Sequence, residues 1–229
     1  MAVLIPEYSL GARGRSVSSR PRALACAIFS LLVLSAGCSD SPGDVETPSA
    51  DGPLSANAGS GGNGLYPPPG ARDGWRGTFG GFVLCSESGA PITIDHVRWD
   101  VAEPPKNVAA YLRTVNVPEK PDQDVDYLPL GSALGAPPSF TQPYAQRKIG
   151  GSFSDEVTGT VVDQTCEQNR TGERDRFTEL VFVLDVGRSG GRVTDATVEY
   201  TAEGKQFILP IQWQMVACGT AIADGTCDR

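Results

Sequence analysis

From Trp75 to Gly219 glycine and proline cut the chain into short segments, in which apolar residues alternate with polar ones or run on for a few positions. No amphipathic stretch longer than about ten residues survives that punctuation, so short strands joined by turns are the structures left open. The 27 Gly and 18 Pro in 229 residues exceed ordinary usage and point the same way.

Phe177 to Val186 (FTELVFVLDV) is nearly continuous in apolar residues and is predicted to be a central strand. Thr78 to Ser86 (TFGGFVLCS) reads as another, with a bulge at Gly80-Gly81, and runs into the turn cluster Glu87-Ser88-Gly89-Ala90-Pro91. Ile92 to Trp99 alternates, placing Ile92, Ile94, His96 and Arg98 on one face and Thr93, Asp95, Val97 and Trp99 on the other. Asn107 to Val117 reads as a strand, although its two alanines would also suit a short helix. Gly190-Gly191 turns the chain into Arg192 to Thr201, and Glu203-Gly204 turns it again into Gln206 to Cys218. That last segment sets Phe207, Leu209, Ile211, Trp213 and Met215 on one core-facing row, with Pro210 marking an edge or a bulge. About seven such strands predict an all-β antiparallel sandwich over residues 73–229.

The first strand with its cysteine, then ITIDHVRW, ELVFVLDV and VEYTAEGKQFILPIQWQMVAC, together resemble the small immunoglobulin-like β domains of Gram-positive lipoproteins. The resemblance implies an immunoglobulin-like sandwich and a place outside the cytoplasm. It carries no activity.

The N-terminal region agrees with that location. Arg20 and Arg22 precede a 14-residue uncharged apolar run, Ala23 to Ala36. A membrane-spanning helix needs about 20 residues, whereas this run has the length of a signal-peptide core. It ends in Leu34-Ser35-Ala36-Gly37-Cys38, which resembles the lipobox of bacterial lipoproteins, with Ser35 where an aliphatic residue is usual. Residues 1–37 are therefore expected to be removed and Cys38 to carry a diacylglycerol group. The competing reading is a secretory signal cleaved near Ala36 or Gly37.

Residues 38–72, rich in Gly, Pro and Ser, are expected to form a flexible tether with a reach of about 30 Å. The net charge is −8, and loss of the +3 carried by residues 1–37 makes it −11. An acidic surface repels phosphate backbones and anionic headgroups, so the expected contact with a membrane is the lipid anchor alone, and nucleic acid is not an expected partner.

Cys26 falls in the signal segment and Cys38 is the lipidation candidate, leaving Cys85, Cys166, Cys218 and Cys227. An even number in an oxidising compartment predicts two disulfides, with three pairings open. Cys218 with Cys227 would pin the tail; Cys85 with Cys218 would lock the first strand to the last. No spacing suits a metal.

Catalytic signals are sparse. His96 is the sole histidine and sits within a predicted strand; no nucleophile elbow, Ser-x-x-Lys or phosphate-cradling loop occurs, so no catalytic residue, metal or cofactor is expected. Asp122, Asp124 and Asp126 resemble the start of a calcium loop, but Tyr127 and Ala133 occupy the positions that need Gly and Glu. Asp155 and Glu156 are adjacent, so in a strand they would face opposite ways.

Val117 to Gly150 is a long connection with six prolines, a kind of segment that is usually functional or disordered. Tyr127, Phe140 and Tyr144 within it are the candidate partner-binding residues, offered to a protein, glycan or small ligand in the cell envelope. The alternative is that the segment wraps one sheet and its aromatics fill a satellite core. The expected function is thus a membrane-anchored binding module; a carboxylate-dependent glycan hydrolase and a structural cell-envelope protein are the competing classes.

Overall fold

The computed structural model describes residues 48–71, 74–141, 147–170, 175–222 and 226–227. The predicted signal segment, Cys26, Cys38 and the first part of the predicted tether lie outside them, as does Tyr144. The described chain is almost entirely β. In order come β1 (Leu54–Ser55), β2 (Gly61–Leu65), β3 (Trp75–Ser86), β4 (Ile92–Val101) and β5 (Asn107–Asn116). Six short strands follow: β6 (Val125–Asp126), β7 (Ser132–Ala136), β8 (Ser139–Thr141), β9 (Lys148–Ile149), β10 (Ser152–Ser154) and β11 (Val161–Val162). A single turn of helix, α1 (Cys166–Arg170), precedes β12 (Arg176–Val186), β13 (Gly191–Ala202), β14 (Lys205–Ile211) and β15 (Trp213–Ala217).

Two sheets face each other. The seven-stranded sheet runs β10-β5-β12-β3-β7-β8, with β1 also on β3; the six-stranded sheet runs β11-β4-β13-β15-β2, with β14 also on β13. Pairing within both is antiparallel except where β2 runs parallel to β15. The expected strands are β3, β4, β5 and β12 to β15, the predicted last strand being divided at Gln212. Asn107 to Asn116 is strand throughout, paired residue by residue with β12.

Strand β12 is central, flanked by β3 and β5, as its apolar run predicts. Leu180, Phe182 and Leu184 point between the sheets, where Phe182 meets Phe82 and Trp99 edge-on at 5.7 and 6.3 Å. Ile211 and Met215 join the same core, with Phe207, Leu209 and Trp213 packed at its margin, so the predicted row exists.

In β4 the predicted alternation fails at one residue. Ile94 pairs with Tyr200 and His96 with Glu199, leaving Asp95 as an extra residue. A one-residue bulge moves every later side chain to the other face. Ile92 and Ile94 are therefore buried together with Val97, while His96 and Arg98 are exposed. The bulge reconciles two apolar pairs that a straight strand would have set on opposite faces.

The larger departure concerns the predicted tether, most of which belongs to the fold. Ser49 bridges Phe207, β1 pairs with the end of β3, and β2 lies along β15. Leu54 and Ala56 are buried, and the Leu54 amide donates to the Tyr200 hydroxyl at 3.2 Å. The glycines of β2 serve close approach rather than flexibility. A Cβ on Gly61 would come within 2.8 Å of the Trp213 ring, and one on Gly62 within 3.0 Å of the Gln214 side chain. This strand also covers the outer edge of β15, which would otherwise present unpaired backbone groups.

Candidate functional site

The chain enters the sandwich at one pole, beside Ser86 and Phe207, and β2 carries it toward the other. Strand β3 runs the full distance from Trp75 to Ser86, roughly 35 Å at about 3.3 Å per residue. At the Trp75 pole lies a cleft of about 370 Å³. Its lining includes Tyr66 and Pro67, the continuation of β2, together with Ala71, Gly74 and Trp75. Thr220 and Ile222, beyond β15, also line it, and the exposed Arg188, in the turn from β12 to β13, stands at its rim.

Backbone bonds hold these walls in place. The Cys218 amide donates to the Leu65 carbonyl at 2.8 Å, and the Thr220 and Ala221 amides donate to the Arg188 and Ser189 carbonyls, each at 3.0 Å. The Cys218–Cys227 disulfide holds Cys227 at the cleft, which both cysteines line. Ile222 is buried with Val216 and Cys218, and Tyr66 packs against them. The cleft thus has an apolar interior, one cation at its rim, and neither histidine nor carboxylate among its described lining residues. A volume in this range with mostly apolar walls is characteristic of small-molecule sites.

The second disulfide joins Cys85 of β3 to Cys166 of α1. Of the three pairings left open, Cys218 with Cys227 therefore occurs and the clasp between the first and last strands does not. The bonded pairs sit at opposite poles.

The proline-rich segment lies on the outer face of the seven-stranded sheet. Tyr127 is half-buried against the cluster of Val83, Val115 and Phe177; Phe140 is half-buried against Leu130, Ala133 and Val181. Of the three aromatic candidates, the two described ones thus spend contact area on the sheet.

Beneath the segment is a fully buried pair that the sequence reading did not single out: Arg113 of β5 and Glu179 of β12, opposite each other in register and 2.9 Å apart. Arg113 donates to the carbonyls of Gly150 (2.8 Å), Leu128 (2.8 Å) and Asp126 (3.2 Å). Its guanidinium lies over the rings of Phe153 and Phe177 at 5.9 and 5.8 Å. Glu179 Oε1 accepts from the amides of Gly81 (2.6 Å) and Leu130 (2.7 Å). Burial pushes the Glu179 carboxyl above its usual range, against the pull of the Gly81 amide and Arg113.

The bulge at Gly80-Gly81 makes this arrangement possible. Gly81, at φ +92°, turns its amide toward Glu179, and a Cβ on Gly80 would collide with the Leu130 carbonyl oxygen. The sequence carried a signal for the pair: Glu179 stands amid the apolar residues of the most apolar strand of the chain, a place where an ionisable group needs a partner.

The remaining candidates are scattered. His96 is exposed on the outer face of the six-stranded sheet, opposite Glu199. Asp122 and Asp126 each accept an amide two residues on, from Asp124 and Leu128, which is turn chemistry. No cluster of three potential metal ligands occurs among the described residues, and none of their helices is long and apolar enough to cross a membrane. The chain matches no protein-family model, and the curated proteins include no significant match.

Proposed function

We propose that this chain is an exported lipoprotein, acylated at Cys38, whose immunoglobulin-like sandwich is a ligand-binding module in the cell envelope. The observation that carries the reading is the ordered apolar cleft at the Trp75 pole, braced by the Cys218–Cys227 disulfide. Two disulfides suit a protein that matures in an oxidising compartment. The described lining residues, which include neither histidine nor carboxylate, favour binding over acid–base chemistry.

The location of the cleft supports the same reading. Eleven residues lead from Cys38 to Ser49, a link of at most about 40 Å when extended. Ser49 and the cleft lie at opposite ends of the long strands.

Two measurements test the reading. Mass spectrometry of the mature N-terminus should find a diacylated Cys38, and Cys38→Ala should release the protein from the envelope; an unmodified, soluble wild-type chain contradicts the anchor. Native mass spectrometry of protein released from its own envelope should show a bound mass that is lost in Thr220→Trp, whose indole fills the cleft from an exposed position. Identical spectra from both proteins would contradict binding at this site.

A further inference from the structure

Resting on the reading of the cleft as a binding site, we infer that its ligand is an amphiphile: an apolar or aromatic body bearing one anionic head that pairs with Arg188. The walls define the body. Tyr66, Trp75 and Ile222 offer two aromatic faces and a branched aliphatic one, and burying a polar ligand against them without hydrogen bonds would be unfavourable. Arg188 defines the head. It is exposed at the rim, and among the described residues its guanidinium has no carboxylate partner.

Arg98, Arg113, Arg176 and Arg192 each pair with an acidic side chain, whereas Arg76, Arg147 and Arg188 form no ion pair with a described residue, and of these seven arginines Arg188 alone lines the cleft. A guanidinium stays charged at all physiological pH and presents a planar fork of donors matched to carboxylate, sulfonate or phosphate oxygens. Held at the lip of an apolar cleft by a turn whose carbonyls accept the Thr220 and Ala221 amides, it faces a ligand head while the body lies within.

The test uses two dyes that share an arylaminonaphthalene body, 1-anilinonaphthalene-8-sulfonate and the uncharged N-phenyl-1-naphthylamine. Binding to the folded domain is read from dye fluorescence and from the Trp75 indole resonance. The sulfonate is expected to bind at least about tenfold more tightly than the neutral dye. Arg188→Met, which keeps the apolar stem, should bring the two affinities within about twofold, and Thr220→Trp should abolish both. Equal affinities in the wild type, or a ratio unchanged in Arg188→Met, overturns the anionic head while leaving the cleft as a site. If neither dye shifts the Trp75 resonance of the wild type, the cleft reading fails and the head assignment with it.

Discussion

Each sheet carries an Arg–Glu pair across neighbouring strands on its outer face, and the two pairs live in opposite surroundings. Arg113 and Glu179 are wholly buried beneath the proline-rich segment, bonded to each other and held further by backbone groups and aromatic rings. Arg98 and Glu199 lie on the bare face of the six-stranded sheet, their side chains 59% and 33% exposed. The same chemistry is therefore a surface decoration in one sheet and a fastening in the other. What differs is the segment from Val117 to Gly150, whose carbonyls at Asp126, Leu128 and Gly150 are all bound by Arg113. It is cladding for a sheet face, in contrast to the apolar cleft at the Trp75 pole, on which the functional proposal rests.

The contrast can be broken in graded ways. Deleting residues 127–144 strips the cover from a buried charge pair and from Val181, and no folded protein is expected by near-ultraviolet circular dichroism. A folded deletion variant would show that the segment is an independent loop. Glu179→Ala leaves the Arg113 charge buried without its counterpart, and should cost about 3–5 kcal/mol in urea denaturation. Gly80→Ala pushes a methyl group against Leu130 and Glu179, and should cost about 1–3 kcal/mol by the same measurement. Arg98→Ala should change stability by less than about 1 kcal/mol, with the difference vanishing in high salt, because solvent screens that pair.

How much of this was legible beforehand follows from the range of the forces involved. The strands, the Gly80-Gly81 bulge and the Glu203-Gly204 turn are set by neighbouring residues, and Glu203 and Gly204 both take the positive φ that such a turn needs. The all-β sandwich follows from their sum. The fate of the glycine-rich N-terminal segment was not legible, because Gly61 and Gly62 look the same in a linker and in a strand pressed against Trp213; only a partner 152 residues away distinguishes them. The bulge at Asp95 hid for a similar reason, being visible only in the pairing with β13.

The site was harder to read than the fold. The cleft assembles Tyr66, Trp75, Arg188 and Ile222 from four separate parts of the chain, and no local motif marks them. The pairing of Cys218 with Cys227 was among the open alternatives and was the nearest signal, since it ties Cys227 to the end of β15. Aromatic residues in a long loop read as contact surface; Tyr127 and Phe140 face clusters whose buried members come from β3, β5, β7, β12 and the connection before β7.

Native-state hydrogen exchange of the Gly81 and Leu130 amides, the two that donate to Glu179, tests most directly whether the proline-rich segment is part of the core. Both are predicted to exchange only through global unfolding, with the same protection as the β12 amides. Exchange of Leu130 at the rate of an open loop, while β12 remains protected, would contradict the account.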